Sequence, residues 1–161
     1  MDETILAAIG AVLLILTAGL FSAIDAALST VSVARVEEMA KEGRYGAARL
    51  STMLKQRPRY INVSVLLHLV SLVATAVLFT VVFNDLIDSS AWALVTAAAV
   101  TTVAAYVVAG VGPRTLGRQH AYSIALGSAA PMTVVGVVLG PVARLLVGVG
   151  NAVIPGGGFR N

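Results

Sequence analysis

The chain has 161 residues and a formal net charge of +3, with 58% hydrophobic and only 12% charged residues, against about 25% charged in ordinary soluble domains. A globule of this size still exposes about a third of the surface of its unfolded chain, so this composition, with a mean hydropathy of +0.90, excludes a soluble fold. There is no cysteine, which excludes disulfides, thiolate metal sites and cysteine-linked lipids.

In chain order, three stretches contain no Asp, Glu, Lys or Arg: Ile5–Ile24, Tyr60–Asn84 and Ser89–Pro113. Each is long enough for an α-helix, rising about 1.5 Å per residue, to cross a hydrocarbon core of about 30 Å. They predict spans over about 5–28, 60–84 and 90–112. The first is preceded by Met1-Asp2-Glu3-Thr4. A secretory signal would carry cations there and a cleavage site after a short apolar core. The first span is therefore expected to be retained, with the N-terminus outside.

Seven of the eleven basic residues fall between the first and second spans: Arg35, Lys41, Arg44, Arg49, Lys55, Arg57 and Arg59. The turn at Asp85–Asp88 has none, and Arg114 and Arg118 follow the third span. The positive-inside rule makes the Arg35–Arg59 segment cytoplasmic and the Asp85–Asp88 turn external, in a multi-pass protein of the plasma (inner) membrane. Val33, Val36, Met39, Ala40, Ala47, Leu50, Met53 and Leu54 recur near the 3.6 period. They predict a juxtamembrane helix over about 33–55, with a bend or break at Gly43 and Gly46. It reads either as a solvated connector or as a helix packed under the spans that passes on a cytoplasmic signal.

A fourth uncharged stretch, Ala121–Ala143, contains Pro131 and Pro141, which remove backbone donors and would interrupt a straight helix. A full span here would carry Arg144 toward its outer end, and a cation at mid-membrane costs about 2.5–3.5 kcal/mol. The expectation is an interfacial or re-entrant helical belt over about 120–154 that lets Arg144 reach headgroups. The tail, residues 155–161, reads as a linker toward a further cytoplasmic domain. The predicted fold class is an all-α integral membrane domain (1–154) of three transmembrane helices, a cytoplasmic juxtamembrane helix and this C-terminal belt.

Polar groups inside apolar segments need a reason. Ser22, Asp25 and Ser29 share a helical face. A carboxylate between two hydroxyls can offer hard oxygen ligands to a cation; the plainer reading makes Asp25 the end of the span and has the serines bond back to the helix. His68, Ser71 and Thr75 share a face of the second span. There a neutral histidine serves as an interhelical hydrogen-bond partner, a ligand or a proton relay. Gly110-Val111-Gly112-Pro113 marks either a helix break that frees carbonyls for an ion or a simple helix stop. No GxSxG, HExxH, Walker A or GxGxxG pattern occurs, so no enzymatic chemistry is expected. Glu37, Glu38 and Glu42 interrupt the basic segment, which argues against nucleic acid.

Leu20-Phe21-Ser22-Ala23-Ile24-Asp25-Ala26-Ala27-Leu28-Ser29 resembles the first-span signature of the CorC/CNNM (DUF21) membrane domain. Val33–Met39 with Gly43 and Ala47 resembles that family's cytoplasmic helix, Arg57-Pro58-Arg59-Tyr60-Ile61 the start of its second span, and Gly112-Pro113-Arg114-Thr115-Leu116 its Pro-Lys element. The resemblance implies a homodimer in the lipid bilayer that exports Mg²⁺, or exchanges it for Na⁺, with cytoplasmic CBS modules beyond this chain supplying any ATP binding. Ser22, Asp25, His68, Ser71, Gly110 and Gly112 then line the ion path, the last two through carbonyls. There are departures: Asp25 stands where the family usually has Glu, His68 and Ser71 lie near the place of its second-span asparagine, Gly110 takes the place of its third-span Glu, and Arg114 that of its Lys. The alternative is a non-transporting membrane scaffold or regulatory subunit that kept the fold, lost the ion site and docks another membrane or cytoplasmic protein.

Overall fold

The structure, a computed structural model, describes residues 3–153. It is all-helical: α1 (Glu3–Thr30), α2 (Val33–Lys41), α3 (Ala47–Leu54), α4 (Arg57–Leu86), α5 (Ser90–Ala104), a π-helical segment (Ala105–Val111), α6 (Gly112–Gln119) and α7 (Ala121–Val153). The predicted first, second and third spans correspond to α1, α4 and the run α5–π–α6.

α1 is inverted relative to a soluble helix. Ala11, Ala18, Gly19, Ser22, Ala23, Ala26 and Ala27 face inward, while Ile5, Leu6, Ile9, Val12, Leu13, Leu16 and Leu20 face outward. Small inward residues let helix backbones approach closely where lipid, not water, surrounds the bundle. α4 packs antiparallel on α1. Thr4 meets Asp85 at one end, Gly10 lies opposite Leu78, Ala18 opposite His68, and Val31 meets Arg57 at the other end. The third span runs parallel to α1, with Val108 against Gly19 and Gly117 against Ala23. The bundle thus has an acidic end (Glu3, Asp85, Asp88) and a basic end (the Arg35–Arg59 segment, Arg114, Arg118).

The juxtamembrane segment is two helices. Gly43 (φ 74°) and Gly46 (φ 78°) adopt left-handed backbone between α2 and α3, a conformation glycine reaches without Cβ strain. Val36, Met39, Ala47, Leu50, Met53 and Leu54 are buried as the periodicity predicts, whereas Val33 is exposed.

Two expectations are corrected. Four helices, not three, are long and apolar enough to cross a membrane, the fourth being Ala121–Val153. That helix also runs unbroken through Pro131 and Pro141, so no re-entrant hairpin forms; both prolines point outward, and a membrane helix tolerates proline where its surroundings satisfy the freed carbonyls. The partners of α7 all lie at the basic end. The Tyr122 hydroxyl accepts from the Ser32 N–H at 3.3 Å, Gly136 lies on the Tyr60 ring, and Gly140 lies on the Arg59 guanidinium. From Tyr122 to Gly140 the helix covers about 27 Å at 1.5 Å per residue, yet its α4 contact at Gly140 is still in the first turn of α4. α7 therefore crosses the basic end of α1 and α4 and does not follow α4 along its length.

Candidate functional site: a polar seam between three helices

The antiparallel register that places Ala18 beside His68 also sets Ser22 level with Ser64. Both hydroxyls are buried, Ser22 at 2% and Ser64 at 0% exposure, and neither has a hydrogen-bond partner. Serine in a helix ordinarily returns its hydroxyl to the carbonyl one turn back, as Thr75 does to Ser71 at 2.8 Å. Ser22 and Ser64 do not, and a buried unpaired hydroxyl costs about 1–3 kcal/mol.

One turn beyond Ser64, the Nδ1 of His68 lies 2.8 Å from the Ala18 carbonyl oxygen. A carbonyl only accepts, so Nδ1 carries the proton in this contact and Nε2 keeps a lone pair. The interhelical bond expected of a membrane histidine is thus formed, and among the described residues Nε2 makes no hydrogen bond. Ser71, at 5% exposure, continues the same face.

The third wall is the π segment. Gly110 and Gly112 do not line the seam as expected from the sequence. The atoms nearest to where their side chains would begin are carbonyls of their own segment, Ala105 and Val107, and Gly112 is exposed. The chain is not stopped at Gly112-Pro113 either; it widens into π geometry and resumes as α6. The freed carbonyl is Val108. The Gly112 N–H goes to Val107, and Pro113, five residues on from Val108, has no N–H to give. That oxygen lies against Gly19, 2.6 Å from where a β-carbon there would sit. No sequence pattern marks Val108; its position five residues before a proline is the signal, legible only once π geometry is known. On the acidic side the seam is closed by Ile15, Ala18 and Ala109, with Leu72, Ala104 and Ala105 packed around them.

Asp25 faces a different space. It is half-buried and lines a cavity of about 300 Å³ with Ala26, Ser29, Thr30, Arg114 and Arg118. The structure therefore divides the six residues chosen from sequence. Ser22, His68 and Ser71 belong to the seam; Asp25 belongs to a mouth at the basic end where two guanidinium groups compete for its charge; Gly110 and Gly112 belong to neither. Among the described residues no three His, Asp or Glu side chains gather as a metal cluster, so the seam's donors are two hydroxyls, a carbonyl and an imidazole.

An inside-out helical bundle with a polar seam at the level of a π-widened third span defines a membrane protein of the transport type in its architecture. Residues 9–161 match the family model described as the Cyclin M transmembrane N-terminal domain, and the chain belongs to that family. It is 50% identical over 153 residues to the UPF0053 protein Rv2366c of Mycobacterium tuberculosis and, equally, to the UPF0053 protein Mb2387c of Mycobacterium bovis. The match covers 95% of this chain but 35% of each relative, so the chain spans about a third of their length.

Proposed function

We propose that this is the membrane domain of a homodimeric divalent-cation transporter that carries Mg²⁺ outward across the plasma membrane, in exchange for Na⁺ in the form the family implies, by alternating access. α1, α4 and α5–π–α6 are the three spans. The basic end is cytoplasmic and the N-terminus external. α7 lies with α2 and α3 as a belt under the spans, a reading supported by its partners at the basic end. ATP enters only through cytoplasmic modules outside this chain.

One observation carries the reading: Ser22 and Ser64 present buried, unpartnered hydroxyls at the level where three helices converge. A cation whose ligands are oxygens supplies what those groups lack. The packed layer around Ile15 and Ala109 closes the seam toward the outside, and the Asp25 cavity opens toward the basic end, which describes an inward-facing state. Asp25 offsets the field of Arg114 and Arg118 at the mouth, where a cation must pass.

The test is cation-dependent thermal stability of the purified protein in detergent, with Mg²⁺, Ca²⁺ and Na⁺ beside wild type, Ser22→Ala and Asp25→Asn. Binding to the folded state adds about 2.7 kcal/mol at a hundred times Kd. A Mg²⁺ shift in wild type that is lost in Ser22→Ala supports the reading. The same shift in wild type and Ser22→Ala would overturn it. The scaffold reading draws on the lack of a carboxylate in the seam; no cation response, no flux in proteoliposomes and a partner membrane protein in fixed stoichiometry would establish it.

A further inference from the structure

We propose that His68 is a ligand of the seam and tunes it toward divalent cations that accept imidazole, of the Ni²⁺ and Zn²⁺ kind, in preference to Mg²⁺. The proposal rests on the ion-path reading above and names the cargo class of that same path.

The ring is held as a metal-bound histidine is held. Such a histidine almost always donates its other ring N–H to a carbonyl or carboxylate, which fixes the tautomer and aims the free nitrogen. Here the Nδ1–H is committed to the Ala18 carbonyl oxygen at 2.8 Å, and Nε2 is left as the ring's only donor. That donor is surrounded by other unmet groups. Ser64 stands one turn before His68 on α4, Ser22 one turn beyond Ala18 on α1, both buried and unpartnered. Gly19, next to Ala18, carries the freed Val108 carbonyl. Three helices thus bring an imidazole, two hydroxyls and a carbonyl to one turn of α1.

This donor set has a chemical preference. Mg²⁺ takes oxygen ligands in a near-octahedral shell, gives up water reluctantly and gains most from carboxylates. The seam has no carboxylate. Imidazole suits Zn²⁺ and Ni²⁺, which also stand above Mg²⁺-like hard ions in their affinity for nitrogen donors. A hydroxyl, a carbonyl and water complete a shell for either metal with no acidic side chain, provided the imidazole is present.

The experiment uses the whole chain with His120→Gln, which removes the other imidazole and lies outside the seam. Thermal stabilisation is titrated with Zn²⁺, Ni²⁺ and Mg²⁺, alone and with His68→Asn or Ser22→Ala added. We expect Zn²⁺ or Ni²⁺ to act at concentrations at least about tenfold below Mg²⁺, and His68→Asn to erase that advantage while leaving the Mg²⁺ response in place, since even partners of metal-bound histidines matter at the 10–100-fold level. Because His68→Asn can weaken the α1–α4 contact, ¹⁵N-histidine spectra of the unsubstituted seam give a second readout: Zn²⁺ should shift Nε2 and leave Nδ1 protonated. Mg²⁺ acting at equal or lower concentration than Zn²⁺, a Zn²⁺ preference that survives His68→Asn, or an Nε2 resonance unmoved by Zn²⁺ would each overturn the proposal. In those cases a Mg²⁺ response abolished by Ser22→Ala leaves the transport reading standing. No response to any cation removes both.

Discussion

Two places in this molecule put polar groups where water is scarce, and they treat them in opposite ways. At the basic end the groups are paired. Arg57 donates to the Val31 carbonyl at 2.7 Å and Arg59 to the Gly136 carbonyl at 2.7 Å and to the Gln56 amide oxygen at 3.1 Å; only the Arg59 Nε is left over. These bonds tie the start of α4 to the end of α1 and to α7. In the seam, Ser22 and Ser64 are as deeply buried and have nothing. Paired polar groups hold helices together. Unpaired ones weaken the bundle and are retained at a site that something else completes. Within one α1–α4 interface, pairing separates architecture from function better than burial does.

That contrast can be broken or sharpened by substitution. The largest effect is expected at neither place but at the contact both depend on. Gly117 lets α6 lie on α1; a side chain there runs into the Ala23 carbonyl and comes within 2.9 Å of the Ala26 Cβ. Gly117→Val should cost about 3 kcal/mol or more, the upper range for overpacking, and appear as loss of monodisperse protein on size exclusion. Arg59→Ala comes next. It removes two hydrogen bonds from a charged donor, worth about 1.5–3 kcal/mol each before compensation by water, and should lower the thermal midpoint in detergent without changing the cation response. Ser64→Ala should shift stability least, by about 1 kcal/mol or less and toward a higher midpoint, because it deletes an unsatisfied hydroxyl, while reducing cation-dependent stabilisation. If Ser64→Ala destabilised the protein as much as Arg59→Ala, the division between the two regions would fail.

The legible part of this fold is the part set by local composition. Charge-free length marks α1, α4 and the α5–π–α6 span, and the 3.6 periodicity with two glycines marks α2, α3 and the turn between them. Ser22, His68 and Ser71 stood out because polar side chains in an apolar run are conspicuous. What was not legible depends on partners far along the chain. Pro131 and Pro141 argued for a break, but nothing local says that α7 crosses the basic end, where Gly136 and Gly140 receive Tyr60 and Arg59. Gly110 and Gly112 drew attention as helix breakers, whereas the carbonyl actually freed is Val108, because π geometry moves the bond lost to Pro113 one residue further back. Asp25 shares a face with Ser22 on a helical wheel, but α6 brings Arg114 and Arg118 to it and makes it part of the mouth.

The π segment has a consequence for how this family can vary in length. A π segment carries more residues per turn than the α-helix around it, so it acts as a phase shifter in the third span. Deleting a single residue between Ala105 and Val111 would return the span to α geometry and turn everything after it by about 100° about the helix axis. Gly117 would then swing away from Ala23, Arg114 away from Asp25, and the Val108 oxygen away from Gly19, although no contact residue had been changed. Insertions and deletions in this stretch are thus changes of angular register, felt most at the far end of the span.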